Sequence, residues 1–309
     1  MDLTNFSSIK IPEGNVEKIV DNVGRILWEN NNYLYAEAVE DGTVRFEWNR
    51  VPSSLPVIEY SVGSKNSFSE YTYGTDISLS VGQKVYFKGD NEKMSSADNN
   101  LILKSSNKIK VGGNVMSILD STCKLKKVPE RAFRQLFANN SKLISIENLK
   151  LPATELARDC YGFMFFHDTG LNYMPEELLP APVLAEYCYQ NMFSYCDIRE
   201  IPSNLLRATS LAPNCYSYMF SSNYNLKTLP SDLFKALEYF SCSCEAMFDE
   251  TGMLMSETQV DKYTRPFRIP YQGTGEAPLD AFVNMFRYTD GIFSGTPEIN
   301  KTYYLWEES

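Results

Sequence analysis

From Leu184 onward the apolar residues come in pairs every four positions: Leu184 and Ala185, Cys188 and Tyr189, Met192 and Phe193. Doublets at this spacing predict a short α-helix with a wide apolar stripe. A polar stretch follows, then Ile198-x-x-Ile201-Pro202. This run is too short for a helix and its proline lacks a backbone donor, so it predicts a short extended segment at a turn. The same two phrases recur. Cys160-Tyr161-Gly162-Phe163-Met164-Phe165, Cys188-Tyr189-Gln190-Asn191-Met192-Phe193 and Cys215-Tyr216-Ser217-Tyr218-Met219-Phe220 are the clearest copies, and Ser243-Cys244-Glu245-Ala246-Met247-Phe248 keeps the ending. Met164, Met192, Met219 and Met247 step by 28, 27 and 28, and Ala153, Ala181, Ala208 and Ala236 keep the same phase. One copy cannot bury its own stripe, but stacked copies can, so the ladders predict a solenoid of helix-plus-strand coils.

The array extends in both directions. Ala132-Phe133-x-x-Leu136-Phe137 precedes the clear copies, and Ala281-Phe282-x-x-Met285-Phe286 follows an insertion near 256–278 that carries Thr264, Gly273 and Gly275 and is expected to project as a loop. Gly170 and Gly252 stand where helix C-caps are expected.

The first hundred residues carry a different period. Val16–Val20 and Arg25–Trp28 flank Asp21-Asn22-Val23-Gly24 and predict a β-hairpin. Short alternating runs then predict strands at Tyr33–Val39, Thr43–Trp48, Val57–Val62, Ser67–Tyr73, Ile77–Leu79, Lys84–Lys88, Leu101–Leu103 and Ile109–Val111. Together these argue a β-sandwich. The expected organisation is an N-terminal attachment segment over 1–31, a β-sandwich over 32–114 and the solenoid over 115–309, with the boundary near Gly112-Gly113-Asn114. The fold class expected is α+β, an N-terminal β-sandwich followed by an α/β solenoid.

The repeat phrases, from Val115 to Ile292, resemble leucine-rich repeats of the BspA-like surface-protein type, in the longer variant found in proteins of gut bacteria and their phages. The Ala132 copy lacks the cysteine and the Ala281 copy is set apart by the insertion, so irregular end caps are expected. The phrase from Ile11-Pro12-Glu13-Gly14 through Ile26-Leu27-Trp28 is similar to a short N-terminal module of phage tail and adhesion proteins.

Charge and cysteine usage narrow the function class. A net charge of −10 with no basic stripe argues against nucleic-acid or anionic-membrane partners. No apolar run is long enough to span a bilayer, and Met1-Asp2-Leu3-Thr4-Asn5-Phe6 shows no export-signal pattern. The seven cysteines are odd in number, and Cys160, Cys188 and Cys215 lie on the apolar stripe. They read as small buried hydrophobes in a chain folded in a reducing compartment.

Candidate chemistry is sparse. His167, the one histidine, stands beside Asp168 without a Gly-x-Ser-x-Gly elbow to supply a nucleophile. Cys242 and Cys244 lack the partners of a zinc site. Glu176-Glu177 and Asp249-Glu250 could pair as glycosidase carboxylates but fall on repeat connections, where charge is ordinarily solvation. No phosphate-cradling loop is present. Catalytic, cofactor-binding and metal residues are therefore expected to be none. Exposed tyrosines are the better lead, with Tyr173, Tyr195, Tyr218 and Tyr224 off the core ladder. The resulting expectation is a non-enzymatic virion protein, tail- or fibre-associated, assembled in a host cytoplasm. Its N-terminal segment would contact other virion proteins and its repeats a host cell-surface glycan or protein; homo-oligomerisation is compatible with it. A bacterial cell-surface adhesin is the alternative, and a carbohydrate-active enzyme stands behind both.

Overall fold

The computed structural model describes residues 18–20, 26–29, 32–236, 239–270, 278 and 280–306. Of the expected attachment segment over 1–31, only strands β1 (Lys18–Val20) and β2 (Ile26–Glu29) fall within these residues, and they pair antiparallel. Gly273 and Gly275 of the insertion lie outside them.

Strands β3 (Leu34–Ala38), β4 (Gly42–Trp48), β5 (Glu59–Val62), β6 (Ser69–Glu70), β7 (Ile77–Leu79), β8 (Lys84–Lys88), β9 (Leu101–Ser105) and β10 (Ile109–Asn114) follow the alternation in the sequence. Leu34, Ala36 and Ala38 of β3 and Val85 and Phe87 of β8 are buried, as period-two burial requires. They meet Val44 and Phe46 of β4 and Leu101 and Leu103 of β9 in one core. Phe46 meets Phe87 edge-on at 4.8 Å and ties the two sheets together. One sheet has the order β7-β4-β9. The other has six strands in the order β11-β10-β3-β8-β5-β6, where β11 (Leu143–Lys150) belongs to the repeat half and runs parallel to β10. Gly112-Gly113-Asn114 are thus the end of β10, inside a sheet shared by both halves.

The repeats overturn the expected fold class. The described residues contain no α-helix, only a 3-10 turn at Val115–Ile118, and the sheets are small and open. The α+β solenoid of helix-plus-strand coils is not what the chain builds. The Leu/Ile-x-x-apolar-Pro phrases are not strands either. The segments read as helices are ribbons of overlapping β-turns, over 131–139, 159–167, 187–195, 214–222, 242–250 and 280–288. In the second ribbon, alternate N–H groups close turns, as from Met164 to Tyr161 and from Phe166 to Phe163. The intervening N–H groups of Tyr161, Phe163, Phe165 and His167 instead reach the carbonyls of Cys188, Gln190, Met192 and Ser194 in the next copy.

Two physical features explain the exchange of helix for ribbon. A helix rotates each successive doublet by about 40°, because four residues overshoot its 3.6-residue turn, whereas a four-residue ribbon keeps every doublet on one face. Cys, Tyr, Phe, Asn and Ser dominate these segments and are weak helix formers. The ribbon has a cost. Every fourth residue is left-handed, with φ between 47° and 61° at such bulky positions as Phe163, Tyr187, Tyr195 and Tyr218. That costs about 1 kcal/mol per residue and is offset by the bonds between copies and by the core.

The core consists of ladders. Phe137, Phe165, Phe193, Phe220, Phe248 and Phe286 stack ring on ring at 5.1 to 5.7 Å. Phe133, Tyr161, Tyr189 and Tyr216 form a second ladder. Met164, Met192, Met219 and Met247 are fully buried beside them. Gly170 is needed for close approach rather than for a left-handed cap, since a Cβ there would lie 2.7 Å from the Ser141 carbonyl oxygen of the preceding copy.

Both ends of the ladder are closed within the chain. In front, Leu103 of β9 donates to Leu136 O, and Lys104 Nζ donates to the Ala138 and Asn139 carbonyls. Behind, Phe286 N–H bonds Gly295 O and Asn284 N–H bonds Thr296 Oγ1. The insertion is not a plain loop: its described part supplies β12 (Met255–Ser256) and β13 (Thr264–Arg268), which flank β14 (Thr302–Trp306) in a sheet, and Thr264 is buried.

Candidate functional site

Two surfaces stand out. The first is a cleft of about 860 Å³ between the six-stranded sheet and the connections of the first repeats. Its floor follows from strand register. Asn148 of β11 lies opposite Gly112 of β10, Gly112 opposite Tyr35 of β3, and Tyr35 opposite Tyr86 of β8, so the four share one face. The two phenol rings meet edge-on at 5.9 Å. Gly112 is required here: a Cβ at that position would run into the Tyr35 ring, which lies over the bare strand. Burial, then the nearby Glu37 carboxylate, pushes the Tyr35 phenol up, while its hydrogen bond with Asn148 pulls the other way. Lys84 stands over the Tyr35 ring at 4.4 Å and pairs with Glu37 at 3.3 Å, and Lys65 stands over Tyr86 at 5.3 Å. The opposite wall is the proline-rich run of Pro152, Pro175 and Pro180, with Glu176 and Glu177 at its rim.

The second surface is the outer side of the ribbons. Most left-handed positions reach the surface, with Asp159, Ser222 and Ala246 buried, and they carry unlike side chains on like backbone. One such row is Asn139, His167, Tyr195, Ser222 and Glu250. His167 Nδ1 lies 3.3 Å from Asn139 Oδ1, and its ring meets Tyr195 edge-on. Ser222 donates to Glu250 at 3.0 Å, and the Tyr224 hydroxyl donates to the same carboxylate at 3.3 Å. Tyr173, Tyr195 and Tyr224 are exposed, whereas Tyr218 is half-buried with its hydroxyl 3.4 Å from Glu245.

The candidate catalytic groups are placed as follows. His167 and Asp168 are sequence neighbours but part company: His167 faces the outer row, and Asp168 is fully buried. Asp168 accepts from the Asn140 N–H at 2.7 Å, and its second oxygen has no partner. Burial holds its carboxyl well above the usual carboxylate range. Asp249 is committed to Arg287 by bonds of 3.1 and 2.7 Å, and Glu250 to Ser222 and Tyr224. Glu176 accepts from Asn204, and Glu177, whose side chain is 80% exposed, pairs with Arg207. A general acid needs a desolvated carboxyl, which this exposure denies Glu177.

All seven cysteines are free thiols. Burial pushes the Cys160, Cys188 and Cys244 thiols well up and Cys215 up to about 12, so they are inert as nucleophiles. Cys242, by contrast, is half-buried. Among the described residues no three His, Cys, Asp or Glu side chains converge on a metal position, and no helix is long and apolar enough to cross a membrane.

Sequence reasoning reached the outer tyrosines but missed the cleft. Tyr35 and Tyr86 alternate with buried neighbours and so were legible as outward strand residues. Their pairing across the chain, and the return of β11 beside β10, had no local signal. No family model matches the chain, and neither a curated protein nor a solved structure matches it significantly.

Proposed function

We propose that this chain is a non-enzymatic attachment protein of a virion, whose ribbon array presents its outer rows to a ligand on the host cell surface. The observation that carries the reading is the division of labour in each ribbon. Buried ladder positions repeat and are committed to stacking, whereas the left-handed positions, most of which reach the surface, differ from copy to copy on an evenly spaced backbone. Rigid scaffolds with varied outer side chains suit recognition, because little entropy is lost when the surface is engaged. The exposed rings of Tyr195 and Tyr224 give that surface contact area. The groups that could have acted as acids, bases or nucleophiles are buried, paired or solvated, which supports binding over turnover. The virion setting rests on the resemblance of the repeats and of the N-terminal phrase, with the N-terminal segment joining other particle proteins.

The test is adsorption. Fluorescently labelled protein is offered to a panel of gut and Gram-positive bacteria, and the adsorbed fraction is compared with that of a Tyr195→Ser/Tyr224→Ser variant. We expect a subset of strains to be labelled and the variant to label them several-fold less at an unchanged melting temperature. Equal labelling by both proteins refutes the outer-row surface, and release of soluble sugar from the labelled cells refutes the non-enzymatic reading.

A further inference from the structure

We propose that the cleft between the six-stranded sheet and the proline-rich repeat connections is a binding site for a neutral oligosaccharide. This goes beyond the reading above, because the cleft is separate from the outer rows and its occupancy does not depend on them.

The cleft is built as a site. At about 860 Å³ it lies within the range of small-molecule pockets, with room for several sugar rings. Its floor side chains stand on hydrogen-bonded strands and its far wall carries three prolines, so its frame is set before a ligand arrives and little backbone ordering is lost on binding. Gly112 gives up a side chain so that the Tyr35 phenol can lie over β10.

The chemistry of the lining selects the ligand. Phenols, an amide and carboxylates alternate with ammonium groups over a short distance, which suits a molecule that is donor and acceptor at every carbon. The Tyr86 ring and Pro175 supply apolar surface for the hydrogen-bearing faces of the sugar ring. Charge argues for a neutral ligand. Lys65, Lys84 and Lys150 are balanced by Glu147, Glu176 and Glu177, Lys84 is already paired with Glu37, and the chain carries a net charge of −10 that repels polyanions.

The experiment is isothermal calorimetry of the full chain with chito-oligosaccharides, cello-oligosaccharides and β-1,3-glucan oligosaccharides, and with a sulfated oligosaccharide as the anionic comparison. We expect one neutral series to bind. Tyr86→Ala should weaken it by at least about tenfold, the factor equivalent to about 1.4 kcal/mol. Gly112→Ala should weaken it similarly although it removes no lining side chain, and Tyr86→Ala carries the test if that variant does not fold. Tyr224→Ala, on the outer row, should bind as the parent does. The proposal fails if no neutral series binds, if only the sulfated ligand binds, or if Tyr86→Ala binds normally. It fails equally if Tyr224→Ala alone loses the sugar, since the ligand then belongs to the outer row.

Discussion

The sheet half and the ribbon half both satisfy backbone groups by bonding neighbouring segments, but they do so in opposite local conformations. In the sheets, the backbone is extended apart from Gly113 near the end of β10, and successive side chains alternate between core and solvent, as Leu34, Ala36 and Ala38 show against Tyr35 and Glu37. In the ribbons, only alternate N–H groups reach the next copy, and every fourth residue is forced left-handed. The sheet therefore stores little backbone strain and depends on two facing layers. The ribbon stores strain at each outer position and depends on unbroken ladders. The contrast shows that outer ribbon positions are free to vary in chemistry because their backbone is held by bonds that no side chain supplies.

The comparison can be broken most directly at a ladder. Phe193 is stacked on both Phe165 and Phe220, so Phe193→Ala opens a gap that rigid neighbours cannot close. We expect a loss of about 3–5 kcal/mol in urea unfolding. A loss under about 1 kcal/mol would show that the copies do not depend on one another.

A smaller effect tests the buried carboxyl. Asp168 is enclosed between the ribbons, with Lys104 as the facing cation and Cys196 beside it, and burial raises its carboxyl well above the ordinary range. Its folded value thus exceeds its unfolded value, near 4. Protonation favours the folded chain below that unfolded value, and the benefit is lost as pH rises through the folded value. Asp168→Asn removes the titration. The variant should match the parent at pH ~4 and exceed it at pH ~7 by about 1–2 kcal/mol, the order of an unsatisfied buried polar group. A gap that is constant between the two conditions counts against the buried acid.

Glycine substitution should act with opposite sign in the two halves. Gln135 has φ 61°, and Gln135→Gly relieves the left-handed strain, so a gain of about 0.5 kcal/mol is expected after the entropy of glycine is deducted. Arg45 lies within β4 and links Glu47 and Asp76, so Arg45→Gly should lose about 1 kcal/mol. Losses at both positions would refute the left-handed ribbon. The smallest effect belongs to Tyr224, which is 62% exposed: Tyr224→Ala should shift stability by less than about 0.5 kcal/mol while altering adsorption.

What could be read without coordinates depended on how uniquely each pattern maps to a conformation. Alternation has one common solution, and the strands from Leu34 to Asn114 lie close to where alternation puts them. Apolar doublets every four residues have two. Over the short span from Leu184 to Phe193 a helix and a turn ribbon bury the same residues, so the ladder members were legible while their conformation was not. Gly170 likewise marked a constraint in the sequence, but as close approach of a neighbouring backbone rather than a helix cap.

The sequence by itself determined the repeat length, the identity of the buried ladders and the period-two half, because each is written in local spacing. Tertiary structure completed the choice of ribbon over helix that the four-residue period and weak helix formers only favoured, since half of the ribbon's N–H groups find their acceptors in the next copy, roughly 27 residues away. It also decided the return of β11 to the side of β10 and the meeting of Tyr35, Tyr86 and Asn148 over Gly112. Those partners are distant in the chain, and only the closing of the sheet around them makes a cleft.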